Sequence, residues 1–203
     1  MRVHPTTDRG RASVERVLDA ARGLFAHQGV RATTLDQIGA SAGVGRGQLY
    51  HFFAGKTDLV ADVATSQVDR VLEALEPRLA TLASAADLRA WCDEAVAVHA
   101  SSGGRIRCPV GALAQELGDD DPRARAALAA GFERWRALLE AGLHRVAERG
   151  ELAPGADPAT LATGLLAAYE GGVLLADVSG DVGRLRQALH AVIGPALLPA
   201  AVP

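Results

Sequence analysis

Apolar side chains return every three or four residues along almost the whole chain, and no stretch alternates with period two for long. That pattern constrains the fold more than any other feature, because it draws apolar stripes on helices and leaves no strand to pair. Val14, Val17, Leu18, Ala21, Leu24 and Phe25 form the first stripe, and Gly29 closes that helix. A second helix opens at Thr34, where Thr34-Leu35-Asp36-Gln37 reads as a capping box, and ends near Ala42-Gly43. A third, short helix covers roughly Gly45 to Phe53. After Gly55 a long helix is predicted from about Thr57 to Glu76, stopped by Pro77. Further helices follow over about Asp87 to Ser101 and Pro109 to Leu117. Asp121-Pro122 and Asp157-Pro158 each set an N-cap acid before a first-turn proline, opening helices that end at Gly150 and about Val178. A last helix starts after Asp181 and carries Leu185, Leu189, Val192 and Ile193. The prediction is an all-α fold of about nine helices.

A length of 203 residues allows one sizeable domain, or a small domain fused to a larger one. With 49% hydrophobic and 22% charged residues the chain can bury a core, which excludes disorder. No apolar run approaches 18 uncharged residues, so no membrane-spanning helix is expected. The opening MRVHPTTDRGRAS lacks the apolar centre of a secretion signal, so a cytoplasmic location is expected. Cys92 and Cys108 are too few for a disulfide framework. Charge is uneven: residues 1–60 hold eight Lys/Arg against five acids, while the rest of the chain is net acidic. A basic head on an acidic body suits a polyanion that meets the head alone.

Residues 34–56 carry the chemistry. Two short helices joined by a tight glycine-containing turn form a helix-turn-helix pattern. Leu35, Ile38 and Ala42 face inward from the first helix, and Val44, Leu49, Phe52 and Phe53 lock the second. Neither helix is long enough to stand alone, so Val14, Leu18 and Phe25 must supply a packing surface. The outward face of the second helix is Arg46, Gln48, Tyr50 and His51, with no acid among them. Such a face fits the major groove of double-stranded DNA, where these side chains reach base edges and phosphates. An ordinary solvated helix on a small bundle would read the same way.

The run TTLDQIGASAGVGRGQLYHFFAGKTDLV resembles the DNA-binding domain of the TetR (tetracycline-repressor-like) family. The likeness is close over about residues 12–62, and the expected helix count fits the family over the whole chain. It implies a DNA-binding domain over residues 1–60 and a regulatory, dimerising domain over 61–203. It also implies that Thr34 caps the second helix and touches phosphate, and that Arg46, Gln48 and Tyr50 face the groove or its walls. Lys56 is implied to bind phosphate from the start of the next helix. Gly39 stands where alanine is usual, Gly45 where serine often caps, and Phe52 where histidine is usual, with His51 one residue earlier.

The remainder resembles the family's divergent regulatory domain, and Cys108-Pro-Val-Gly-Ala-Leu-Ala-Gln-Glu116 resembles the LmrA/YxaF-like subgroup. That likeness implies a repressor of a transporter or resistance gene, released by a small hydrophobic or aromatic effector. Trp91, Val110, Leu113, Phe132, Trp135, Leu138, Leu139 and Tyr169 lie on the helices that line the family's cavity. Gly164, Ala168, Gly171 and Gly172 recur at three- and four-residue spacing, which suits either packing within the chain or contact with a second copy. The family's dimer bundle of the last two helices implies a homodimer interface of Leu161, Leu165, Ala168, Gly172, Leu185, Leu189 and Val192. Cys108 reads as a small buried hydrophobe. Asp119, Asp120 and Asp121 do not converge as metal ligands, and Asp121 reads as an N-cap. His99 and His144 read as surface or cavity-edge residues. Neither a phosphate loop nor a nucleophile elbow is present, so the expectation is no enzyme, no cofactor and no metal. Three functions fit: a ligand-released dimeric repressor on a pseudo-palindromic operator, a regulator without a small effector, and a non-regulatory helical binding protein or enzyme.

Overall fold

A computed structural model describes residues 6–101, 106–117 and 121–198. Among these residues nine helices occur in chain order: α1 Asp8–Gln28, α2 Leu35–Ala42, α3 Arg46–Phe52, α4 Lys56–Thr81, α5 Ala85–Ser101, α6 Pro109–Glu116, α7 Pro122–Glu148, α8 Pro158–Ser179 and α9 Gly183–Ala196. The fold is all-α, as its apolar periodicity demands. Extended pairing among the described residues is limited to one antiparallel bridge, Leu152 with Leu197. Contacts divide the chain into two units. One holds residues 1–71 and 109–131; the other holds 72–108 and 132–203. Helices α4 and α7 each contribute to both.

In the first unit α1 presents Val17, Leu18, Ala21 and Phe25 to a core shared with Ile38, Leu49, Phe53 and Leu59, all buried. Arg22 on α1 reaches the hydroxyl of Ser66 on α4 at 2.6 Å, and Asp19 receives Arg70 at 2.8 Å. Residues 109–131 join this unit through specific contacts. The carboxylate of Glu116 on α6 accepts the Val30 N–H after α1, and Arg123 on α7 pairs with Asp58 on α4. Gly131 is a packing requirement, since a Cβ there would lie 2.5 Å from the Val68 side chain.

Helix α4 runs through Pro77 to Thr81, one turn beyond the stop predicted at Glu76. A proline costs an interior helix one N–H and crowds the preceding turn. Here the last turn is held from outside. The Arg145 guanidinium donates to the carbonyls of Leu79 and Leu82, both at 2.8 Å, and the Thr81 hydroxyl donates to those of Pro77 and Arg78. Helix α5 begins at Ala85, before the predicted Asp87, because Ser84 and Asp87 cap it reciprocally and Glu151 accepts the Ala85 N–H at 2.6 Å. The first residue of α7 is Pro122, with the Asp121 carbonyl accepting from Arg125 at 3.0 Å; Asp119 and Asp120 lie outside the described residues. Asp157 caps α8 through the Thr160 N–H at 2.8 Å. Before α9 the N-cap is Val182, and Asp181 instead accepts from Gly183 at 2.9 Å.

In the second unit α8 and α9 lie against each other. A Cβ at Gly172 would stand 3.0 Å from the Cα of Leu185, so glycine is what permits this approach. Helix α8 is also long and apolar enough to cross a membrane by length and composition, with a third of its most apolar window buried in the protein. It holds no long uncharged run, because Glu170 and Asp177 interrupt its apolar sequence.

Candidate nucleic-acid interface and ligand cavity

The α2–α3 pair is built from its ends. The Thr34 hydroxyl accepts the Gln37 N–H at 3.2 Å while the Gln37 side chain accepts the Thr34 N–H at 2.8 Å, completing the predicted capping box. Gly43 closes α2 in the left-handed conformation, φ +65°, where L side chains are strained. Gly45 gives α3 no side-chain cap, so that short helix is held by buried Leu49 and Phe52 and by Phe53 just beyond it.

Arg46, Gln48, Tyr50 and His51 are all exposed, on a helix without an acid. Thr34 is exposed as well. Arg46 lies along the exposed surface, leaning toward α2. Its guanidinium carbon lies 5.7 Å from the centre of the Tyr50 ring, and its Nη1 is 4.0 Å from Asp36 at the start of α2. Lys56 is half-buried and donates to the Arg31 carbonyl at 3.2 Å, so it also fastens the α1–α2 connection.

The second unit holds a cavity of about 180 Å³ lined by Ala74, Leu75, Arg78, Trp91, Glu94, Ala95, Val98, Trp135 and Tyr169. Of the eight residues expected at an effector site, Trp91, Trp135 and Tyr169 come together here. Leu139 is fully buried core, and Phe132 and Leu138 are half-buried elsewhere. Val110 and Leu113 belong to the core of the first unit. The residues missed include Arg78, one residue past the proline that the sequence reading took as the end of α4, and Val98, exposed on α5.

The charged groups around the cavity are paired, while the buried Trp135 indole N–H has no hydrogen-bond partner among the described residues. Arg78 pairs with Glu94 at 2.9 Å. His99 bonds through Nε2 to the Tyr169 hydroxyl at 2.9 Å, and burial pulls its pKa below the usual histidine value, favouring the neutral ring. His99 is thus buried rather than on the surface, and of the two places expected for it the cavity edge is the one it takes, its ring meeting the cavity-lining Tyr169. Trp135 packs against Tyr169 in an edge contact, ring centres 5.0 Å apart. Burial raises the Tyr169 phenol and the Glu170 carboxyl, and the Cys108 thiol bonds Glu170. Cys92 is fully buried, its thiol pushed up to about 12, which leaves it inert at neutral pH.

The expected dimer residues divide sharply. Leu161, Leu165, Gly172, Leu185 and Leu189 are buried within the chain's own fold, so they are not free to meet a second copy; Ala168 and Val192 are half-buried. The exposed stripe on α8 is Thr163, Ala167, Gly171, Leu174, Leu175 and Val178. Periodicity alone could not separate the two faces, because α8 is apolar almost all round.

Residues 17–63 match the model of bacterial regulatory proteins of the tetR family, and residues 84–192 match the tetracyclin repressor-like C-terminal domain. The chain is 33% identical over 155 residues to the transcriptional regulator AcuR of Cereibacter sphaeroides, covering 73% of this chain and 69% of that one. It is similar to the crystal structure of regulatory protein TetR from Rhodobacter sphaeroides, with TM-score 0.77, 26% identity and coverage of 91% and 99%. A complex of SmeT with triclosan superposes with TM-score 0.72 at 25% identity, covering 95% of this chain and 99% of that one. With an N-terminal helix-turn-helix and a C-terminal domain each matched over its own stretch, the chain belongs to the TetR family of DNA-binding transcriptional regulators.

Proposed function

We propose that the protein is a cytoplasmic homodimeric repressor that leaves its operator when a small aromatic compound binds the second unit. One observation carries the DNA half of this reading. Helix α3 offers Arg46, Gln48, Tyr50 and His51 to solvent and no acid, on a helix-turn-helix whose buried side is fully occupied. The site residues are these four with Thr34 and Lys56, on a pseudo-palindromic duplex read by two copies. The exposed α8 stripe supplies an apolar face for the second copy, and Glu170 and Asp177 make that helix a poor fit to lipid. The division of labour at residues 60 and 61 is part of this proposal, as is likeness to the LmrA/YxaF-like subgroup.

The cavity supports the effector half. An apolar cavity of about 150 Å³ is large enough to hold benzene, so about 180 Å³ suits one substituted aromatic ring. Trp91, Trp135 and Tyr169 favour a flat ring, and the Arg78–Glu94 pair with a neutral His99 favours an uncharged one. The similar protein SmeT is a repressor of a multidrug efflux pump and forms a complex with triclosan, which supports an aromatic ligand here, although triclosan has two rings. Both tryptophans lie in the second unit, so intrinsic fluorescence reports the site. In a panel of neutral one-ring aromatics, an inducer should change that fluorescence, raise Tm and release operator over one concentration range. To move occupancy from 99:1 to 1:99 it must favour the released state by about 5.5 kcal/mol. Release with unchanged fluorescence, insensitive to Trp135→Phe and Tyr169→Phe, would place the site elsewhere.

A further inference from the structure

We infer that Asp36 is a specificity-determining residue, which holds Arg46 in reserve so that only the correct base sequence draws it out. This rests on the reading of α3 as the DNA-reading helix. Asp36, Arg46 and Tyr50 rim one small cleft of about 50 Å³ between α2 and α3, floored by Leu35, Val44 and Leu49. Arg46 spans this cleft, with Asp36 at 4.0 Å on one side and the Tyr50 ring at 5.7 Å on the other. Both charged side chains are more than two-thirds exposed, so the arrangement is a surface latch and not a structural ion pair. Nothing in the fold depends on it, because the α2–α3 packing is made by Ile38, Ala42, Val44, Leu49 and Phe53.

The latch has a direct consequence on DNA. A bare arginine at this position would pair with any phosphate it met, adding affinity for every sequence. Next to Asp36 it already has an anionic partner, and a single phosphate replaces that partner with little gain. A guanine offers two acceptors in the major groove, O6 and N7, which match the guanidinium fork and repay the exchange. Asp36 therefore acts mostly against the wrong partner.

The test uses full-length protein, a duplex obtained from a random library by selection on this protein, and a shuffled duplex of the same composition. Affinities are measured by fluorescence anisotropy over a salt series. Asp36→Asn should tighten binding to the shuffled duplex three- to tenfold and steepen its salt dependence by about one ion. Binding to the selected duplex should change less than twofold, so the specificity ratio falls. Glu15→Gln, which makes the same charge change on α1, should leave the ratio intact. In an Arg46→Gln background Asp36→Asn should lose its selective effect, since the latch has nothing to hold. Asp36→Ser repeats the test, and thermal melts confirm that both variants are folded. An unchanged ratio, or the same effect with and without Arg46, overturns the inference and leaves the DNA-reading role standing. A wild type that fails to discriminate the two duplexes overturns that role, and the inference with it.

Discussion

The two units of this protein use their side chains in opposite ways. In the first, the proposed DNA-reading face is the outside of one seven-residue helix, and the inside is ordinary core. In the second, the ligand-sized feature is a half-open cavity assembled from α4, α5, α7 and α8, none of which holds it alone. The first arrangement is local in sequence and the second is not. A groove-reading face can therefore be recognised from a short motif, while a cavity appears only when distant helices meet.

The largest effect expected from breaking this contrast is on assembly. Leu175→Asp with Val178→Asp puts charge on the exposed α8 stripe, which has no role in the core. The double variant should sediment as a monomer and lose operator affinity by about 10²- to 10⁴-fold, the avidity of a two-site complex, with Tm of the fold little changed. A dimer that survives places the interface on another surface.

Next come two adjacent glycines that the sequence treats alike. Gly172→Val forces a side chain against Leu185 Cα and should cost about 1–3 kcal/mol, lowering Tm by roughly 3–10 °C. Gly171→Val meets nothing within 4 Å and should leave the monomer's stability nearly unchanged, acting on self-association instead. Equal losses of Tm for both would deny the division between inner and outer faces of α8.

At the recognition helix, Gln48→Ala should cost about 1–3 kcal/mol on the selected operator and relax base preference at one position. Melting and effector binding should stay as in the wild type, since Gln48 is exposed and the aromatic cavity belongs to the other unit. The smallest effect is a pH slope in stability. His99 has its pKa lowered by burial, so the unfolded chain binds the proton more readily than the folded one. Its contribution is complete above the ordinary histidine value of about 6.5, and is lost as pH falls from there through the lowered folded value. Denaturant melts of His99→Gln should show less of this loss between pH 7 and 5 than the wild type.

These differences explain what was legible beforehand. The nine described helices were all expected, some from their stripes and others from caps, prolines and glycines, and the Thr34–Gln37 box and Asp157 cap were visible as local chemistry. The true end of α4 was not, because Arg145 secures that turn from 63 and 66 residues away. The reading of Leu161, Leu165, Leu185 and Leu189 as an interface had a related cause: apolar residues on α8 and α9 identify a buried face without saying what buries it. On α3 the exposed set was correct, yet the lean of Arg46 toward Asp36 depends on a residue ten positions earlier on another helix.

The sequence-reading role proposed for the exposed face of α3 stands or falls on the affinity of the wild-type protein for its selected duplex and for shuffled DNA, at one salt concentration near physiological. Binding to the selected duplex should be at least about a thousandfold tighter. Arg46→Gln and Gln48→Ala should shrink this ratio while Lys56→Gln weakens both duplexes together. Equal affinity of the wild type for the two duplexes contradicts that role.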